Sequence, residues 1–533
     1  MRDHPAVSTV GGGELCRAVS AACDRFLDAT GSTEGEIVGP EGLDGAAAQQ
    51  RAAGTDAVAA VAEVRAGLAE PLRVAVAGRV NAGKSTLVNA LLRQRVAPTD
   101  VSECTRLVTW YRYGVPERVE VVAHDGSRHT LPLGGDGRLP QNLGVPVAEV
   151  SHLDVFVSND ALRDLVLIDT PGLSSTNQEF SQQTRDLLAV DVASRSAVSS
   201  ADALLFVLTP TLRRDEQDVL EAFCGTYDGF SASALNAVAV LNKADTIVDD
   251  PVEMLPEARR LAQTYADALR SSVSRVVPLV SLVAETVDAG LLTERLIDAL
   301  RQLAQLPPEV LRSLSLSADR FVGMDVPIPS ATRAELLERL DLLGIELSTA
   351  RLRDAAPSSG ALLDTLRGLS GIDDLRQLML GAFRRQSDPL KAASAIGALE
   401  RTLFLLPETD ARRHRLHDDL EELRLDPAMH RLNEFRALQD QAEGRVQLPP
   451  ELAGDLRRVV LAEHTHERLG QPEGADAATL MSAAGAGASR WKRFGNDARS
   501  GPFERRTADA LARSYELMWQ LVADSARPGS VPS

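Results

Sequence analysis

Gly78-Arg79-Val80-Asn81-Ala82-Gly83-Lys84-Ser85-Thr86 follows the apolar run Val74-Ala75-Val76-Ala77 and precedes Leu87-Val88-Asn89-Ala90-Leu91-Leu92. A glycine-rich loop that joins a buried strand to a helix start presents its backbone N–H groups, and the positive end of the helix, to an anion. The amides between Gly78 and Thr86, those of Asn81, Ala82 and Gly83 among them, are therefore expected to cradle β- and γ-phosphates. Lys84 supplies the point charge for the terminal phosphates and Ser85 a hydroxyl for Mg²⁺. This stretch decides the fold: a doubly wound α/β domain with a mostly parallel sheet.

Three later segments decide which nucleotide fits. Leu165-Val166-Leu167-Ile168 leads into Asp169-Thr170-Pro171-Gly172, where a carboxylate at a strand end can hold Mg²⁺ through water and Gly172 leaves its N–H free for a γ-phosphate. Ala237-Val238-Ala239-Val240-Leu241 leads into Asn242-Lys243-Ala244-Asp245. The carboxylate of Asp245 can accept from guanine N1–H and N2–H₂, and adenine offers no such pair. Val276-Val277-Pro278-Leu279-Val280-Ser281 is a further strand ending in a small polar residue, suited to the other side of the base. Each motif alone is weak, but in this order and each after an apolar strand they specify GTP and GDP.

Between the loop and Asp169 lies Ala97-Pro98-Thr99-Asp100-Val101-Ser102-Glu103-Cys104-Thr105, before the strand Leu107-Val108-Thr109-Trp110-Tyr111. Thr105 is the expected switch hydroxyl that closes on Mg²⁺, with Thr99 and Thr109 as competitors. The residue after Gly172 is Leu173, where a Ras-type enzyme carries its water-orienting glutamine, and Val80 in the loop is also apolar. Neither place offers a side chain to position the attacking water.

The set GRVNAGKSTLVNALL, APTDVSECTRLVTWYRYG, LVLIDTPGL and LNKAD resembles the bacterial dynamin-like GTPases of actinobacteria, in particular the isoniazid-inducible IniC/IniA-type family. The C-terminal RWKRF…RSYELMW segment is similar as well. The resemblance implies a GTPase head on a helical neck and trunk, heads that pair on GTP, and action at a membrane. The wording GRxNAGKS is shared with the tRNA-modification GTPases. That likeness implies a potassium ligand at Asn81; the residue alone reads equally as an asparagine bonding the loop backbone.

Bulk properties set limits. At 533 residues the chain is too long for one core. Arginine and lysine number 57 against 75 acidic residues, a net charge of −18, which disfavours nucleic acid and gives no polybasic signal for anionic lipid. The four cysteines, at 16, 23, 104 and 224, form no CxxC pair, as expected of a reduced cytoplasmic protein. Without a membrane-spanning apolar run or a signal sequence, the expected location is cytoplasmic, with any membrane contact peripheral at the inner face of the cell membrane.

The organisation read from pattern is a segment 1–44 that is loosely helical or without fixed structure, a helix at 45–70 joining the neck, a GTPase domain at 71–300 and a helical neck and trunk at 301–533. Val58, Val61, Val64 and Leu68 mark one helix face, and Asp125-Gly126 marks a hairpin turn. Thr332 with Glu335 reads as a capping box ahead of Leu336, Leu340, Leu343 and Leu347. Ile372, Leu375 and Met379 repeat that spacing, and Asp388-Pro389 opens another helix. Leu511, Tyr515, Met518, Trp519 and Val522 form a stripe read as helix packing, and the basic cluster Arg490-Trp491-Lys492-Arg493 as a partner for the chain's own acidic surface. His464 and His466 have the wrong spacing to share a metal on one helix face. The glycine-bracketed stretch Gly360 to Gly371 reads either as an apolar trunk tip that dips into lipid or as a buried helix, and periodicity does not separate the two. The expected function is a dynamin-like GTPase that hydrolyses GTP with Mg²⁺, pairs through its heads and associates with membrane. The alternative is a soluble GTP-dependent switch presenting its helices to a protein partner. An Era-like ribosome-assembly role would want a basic RNA-binding module, which the acidic helical remainder does not supply.

Overall fold

The computed structural model describes residues 13–31, 45–98, 107–140, 142–172, 200–211, 220, 237–247, 253–269, 272–355, 357–379, 387–425, 429–442, 444–462 and 464–525. Among these residues nine strands form one sheet: β1 (Leu72–Gly78), β2 (Thr109–Tyr113), β3 (Arg118–Ala123), β4 (Arg128–Leu131), β5 (Val150–Val157), β6 (Leu165–Asp169), β7 (Ala203–Leu208), β8 (Ala237–Leu241) and β9 (Arg275–Pro278). The order is β4-β3-β5-β2-β6-β1-β7-β8-β9. From β6 through β9 in that order all pairings are parallel, with β1 between β6 and β7. The strands β6, β7 and β8 are apolar at nearly every position because both faces are covered. Strand β2 joins antiparallel to β6, and the β3–β4 hairpin extends the sheet through β5. Here the pattern alternates. Tyr111, Leu153 and Val155 point into the core, while on the opposite face the Arg112 guanidinium lies over Trp110 and donates to Asp154 at 2.8 Å.

After β9 the described elements are helices, beginning at Ser281 rather than near residue 300. Helices Ser281–Asp288 and Glu294–Ala304 share a core with Pro308–Leu314, Ala318–Gly323, Ser330–Ala355 and Ser359–Ser370. Leu362 and Leu366 are fully buried in it. The glycine-bracketed stretch is thus a buried helix, and its reading as a lipid-dipping tip is corrected. Ile372, Leu375 and Met379 join the core of the sheet itself. The capping box at Thr332 and Glu335 is not formed. The helix starts at Ser330, and both side chains instead meet Arg295, by a 3.4 Å hydrogen bond from the guanidinium to Thr332 and an ion pair to Glu335.

A second helical core gathers Glu14–Gly31, Gly45–Ala69, Ser387–Leu405 and Ala411–Leu425. The first of these helices carries buried Leu15, Val19, Ala22 and Phe26 on one face. The Asp388 carboxylate accepts the N–H of Leu15 at 3.1 Å and of Cys16 at 2.9 Å, so it caps that helix rather than only opening its own. Cys16 and Cys23 are buried and free, and burial pushes the Cys23 thiol up to about 12.

The third helical core joins His430–Ala442, Pro450–Leu461, Ala477–Gly495 and Pro502–Ser525. Leu511, Tyr515 and Met518 are buried as the stripe required, while Trp519 is exposed. Asp455, buried here, accepts from Trp491 Nε1 at 2.8 Å, Tyr515 Oη at 2.8 Å and Arg490 at 3.0 Å. With Lys492 paired to Glu516 at 2.6 Å, the basic cluster is engaged by the chain's own carboxylates. The rings of His464 and His466 stack 5.6 Å apart, and no group of three metal-ligating side chains occurs among the described residues.

Candidate nucleotide site

Strand β1 ends at Gly78 and the helix Lys84–Leu92 begins immediately after Gly83, whose φ of 92° lies in the left-handed region. Glycine is required there twice over, because a Cβ would also strike the Asn242 side-chain amide. Asn81 is exposed and likewise left-handed, with φ 63°, a conformation asparagine tolerates better than most residues. Lys84 is buried and folds back over the loop, donating to Gly78 O at 3.2 Å and Arg79 O at 3.0 Å. Burial lowers its pKa and the nearby Asp169 partly restores it.

The carboxylate at the end of β6 stands beneath this loop. Ser85 Oγ donates to Asp169 Oδ2 at 2.7 Å, and Asp169 Oδ1 is buried with no hydrogen-bond partner. Burial lifts Asp169 to about 6, with Lys84 and Ser85 pulling it partly back. Two hard oxygen donors side by side, one of them unsatisfied, suit Mg²⁺. Thr170 anchors the next turn by donating its N–H and hydroxyl to Val76 O at 3.2 and 2.9 Å. Gly172 then lies directly against the loop: a Cβ there would sit 2.5 to 2.7 Å from the Val80 side chain and backbone.

On the base side, Asn242 is buried between two motifs. Its Nδ2 donates to Ala82 O at 2.7 Å and its Oδ1 accepts the Ser281 N–H at 3.0 Å. The amide of Asn242 thereby ties the phosphate loop to the start of helix Ser281–Asp288, a role the NKAD spacing alone did not disclose. Lys243 is left-handed and exposed, and Asp245 is half-buried. Burial raises the Asp245 pKa, and the neighbouring charge of Asp341, at a break with φ 53° in helix Ser330–Ala355, adds to it. Ser281 Oγ is buried without a partner.

Strand and helix ends thus bring together Gly78, Asn81, Ala82, Gly83, Lys84, Ser85, Thr86, Asp169 and Gly172, with Asn242, Lys243, Asp245 and Ser281 beside them. Thr105, Thr99 and Leu173 lie outside the described residues. The remaining competitor, Thr109, is buried in β2 with its hydroxyl 3.5 Å from Leu107 O. Sequence reasoning missed the supports of the phosphate-loop helix. Asn89 donates to Glu285 at 2.8 Å and to Ala97 O at 3.0 Å, and Arg376, from far along the chain, donates to Ala90 O at 2.5 Å. A buried asparagine inside an apolar helix was the one available signal for the first; nothing local marked the second.

The family model described as a 50S ribosome-binding GTPase matches residues 73–243, which span the loop, Asp169 and Asn242. Isoniazid-induced protein IniC of Mycobacterium tuberculosis (strain CDC 1551 / Oshkosh) is 34% identical over 465 residues, covering 85% of this chain and 91% of that protein. The chain belongs to the IniC-type dynamin-like GTPases. It is a P-loop GTP hydrolase, and its GTPase domain implies GTP and GDP as ligands. The bacterial dynamin-like protein of Nostoc punctiforme (strain ATCC 29133 / PCC 73102) is 27% identical over 149 residues, 26% of this chain and 20% of that one. A solved oligomerised bacterial dynamin pair matches at a TM-score of 0.30 and 13% identity, over 94% of this chain and 90% of that chain. In this IniC-type chain no helix among the described residues is long and apolar enough to cross a membrane.

Proposed function

We propose that this chain binds GTP with Mg²⁺ across the phosphate loop and Asp169, hydrolyses it when two heads pair, and works at a membrane surface to which it binds peripherally. The observation that carries the reading is the Ser85–Asp169 contact of 2.7 Å beside the unsatisfied Asp169 Oδ1. Ser85, Asp169 and the switch Thr105 would hold Mg²⁺, which when bound neutralises charge developing on the transferred phosphoryl group. Lys84 exchanges its two loop carbonyls for phosphate oxygens. The N–H groups from Asn81 to Thr86 and that of Gly172 close around the phosphates. Asp245 reads the guanine edge, with Asn242 and Ser281 fixing the surface beneath it.

Head pairing is supported by the apolar residues of the phosphate-loop and DTPG segments. Val80 is 59% exposed and apolar, and in the sequence Leu173 follows Gly172, where a Ras-type enzyme carries its water-orienting glutamine. A second head is then the source of order at the reacting water. Asn81 as a potassium ligand belongs to the same proposal. We assign residues 71–300 as the head and 45–70 with 301–533 as the helical part. The membrane role comes from the dynamin-like family; Phe404, Trp519 and Leu521 are single exposed apolar side chains on the helical part. The soluble-switch alternative is favoured by the burial of Leu362 and Leu366, which removes one membrane tip. Calorimetry with GTP, GDP and ATP, with Mg²⁺ and with chelator, tests the binding reading. Mg²⁺-dependent guanine binding that Lys84→Ala abolishes is expected, and equal affinity for ATP would overturn it.

A further inference from the structure

We propose that Arg376, supplied by the helical part of the chain, is a positioning residue for GTP turnover that braces the back of the nucleotide site. The inference rests on the GTP reading of that site and deepens it. Helices Lys84–Leu92 and Ser281–Asp288 pack side by side. At their front ends Asn242 ties the phosphate loop to Ser281, through Ala82 O and the Ser281 N–H. Ser281, Glu285 and Asp288 follow at the spacing of one helix face. Behind the front tie, Glu285 accepts from Asn89 at 2.8 Å. At the back, Arg376 Nη2 donates to Ala90 O at 2.5 Å while its Nη1 lies 2.6 Å from Asp288 Oδ2. The two helices are thus tied at front, middle and back. Of these three ties, the back one comes from beyond residue 300.

The surroundings make this tie stiff. The Asp288 side chain is 1% exposed, and Arg367 holds its other oxygen at 2.9 Å. A buried carboxylate between two guanidiniums has little freedom, because a planar fork meets it in one geometry. The Arg376 side chain is 13% exposed and stands at the carbonyl end of a nine-residue helix whose amino end faces the phosphates. A cation there also complements the helix dipole. The backbone that carries Arg376 is fixed against the same site. Ile372 and Leu375 are buried in one core with Leu87 and Leu91. The Val280 N–H donates to Ser370 O at 2.9 Å, one residue before Ser281. Gly371, with φ 81°, is pressed so closely on the end of β9 that a Cβ would strike Pro278 O. Sliding either helix past the other breaks one of the two contacts of a single guanidinium. Arg376 therefore sets where the phosphates lie relative to the base, and a misplacement of about 1 Å at a reacting centre costs on the order of a hundredfold in rate.

The test measures steady-state GTP turnover of the full chain with Mg²⁺. In Arg376→Gln, kcat should fall about tenfold to a hundredfold while KM for GTP moves less than about threefold, the pattern of an interaction that matters in the transition state. Arg376→Lys keeps the charge without the fork, and its kcat should lie between the two. Arg367→Gln is the matched control: it removes an ion pair from the same Asp288 carboxylate, and kcat should stay within about threefold of the unmodified chain. Because coupling is reciprocal, GDP with Mg²⁺ should also slow hydrogen exchange of the amides of residues 372–378 severalfold in the unmodified chain. That readout needs no variant, so it decides the matter should Arg376→Gln fold poorly, and exchange indifferent to GDP would overturn the proposal. Unchanged kcat in both Arg376 variants would overturn it too, and leave the GTP reading standing. An equal drop in Arg367→Gln would do the same, because loss of an Asp288 ion pair would then suffice. An unmodified chain that binds no GTP overturns the GTP reading itself, and this proposal with it.

Discussion

Asn242 and Ala82 are joined by a 2.7 Å hydrogen bond from the asparagine side chain to the loop carbonyl. The same amide accepts the Ser281 N–H at 3.0 Å, so one buried side chain sets the phosphate loop against the base-binding end of the site. Asn242→Ala leaves both backbone groups unpaired, a cost of about 1–3 kcal/mol. Nucleotide affinity should fall roughly tenfold to a hundredfold for GTP and GDP alike, with guanine preference retained. Asp245→Asn should do the reverse, weakening preference for guanine over other bases. Calorimetry of both variants separates the roles; a loss of base selectivity in Asn242→Ala would reassign it to direct recognition.

Gly172→Ala places a methyl group 2.5 to 2.7 Å from Val80 Cγ2, Cα and N. Backbone on the loop side cannot yield, so the turn must lift away and carry the Gly172 N–H off the γ-phosphate position. Loss of one preorganised donor typically lowers turnover about a hundredfold to a thousandfold. GDP binding should survive while GTP turnover drops by that order. Unimpaired turnover would show that this turn does not approach the phosphate.

Asp169 links the site to pH. Its folded value of about 6 is above the usual 3.8, so the folded protein takes up a proton that the unfolded chain does not between those two values. The penalty for burying the charged carboxylate is full above about pH 6 and is relieved as pH falls toward 3.8. Without nucleotide, Asp169→Asn should be more stable than the unmodified chain at pH 7, by up to about 3 kcal/mol. The gap should shrink by pH 5. Mg²⁺·GTP affinity of the unmodified protein should fall below pH 6, by at most about tenfold per unit. Denaturation curves at the two pH values check the first and calorimetry the second; a gap that widens toward pH 5 reverses the assigned sign.

Asn81 stands exposed at the loop apex with φ 63°. If its carbonyl oxygen holds potassium beside the phosphates, turnover is faster in potassium than in sodium at equal ionic strength, and Asn81→Ala removes the difference. Equal rates in the two salts leave Asn81 as a loop-shaping residue.

The head was legible because its motifs are local: a phosphate loop, DTPG and NKAD each follow an apolar strand, and the sheet places those strand ends together. What escaped was set by distant partners. The NKAD spacing does not disclose that the Asn242 amide is bonded to Ala82 and Ser281. The stretch from Gly360 to Gly371 has the same apolar spacing whether it meets lipid or core, and only the packing of Leu362 and Leu366 on helices earlier in the chain decides. Thr332 and Glu335 matched a cap pattern, yet Arg295 across the helix pair claims both. The helix Glu14–Gly31 lacks a strong local start signal because its cap, Asp388, comes from the far side of the sequence.

We propose a GTP-hydrolysing head that depends on Lys84 and becomes active in pairs. The direct measurement is phosphate release from GTP with Mg²⁺ across a range of protein concentrations, for the unmodified chain and for Lys84→Ala. Turnover per molecule should rise with concentration in the first and be absent in the second, which should still be folded. Turnover that survives in Lys84→Ala would contradict the site, and turnover per molecule that is flat across concentration would contradict head pairing.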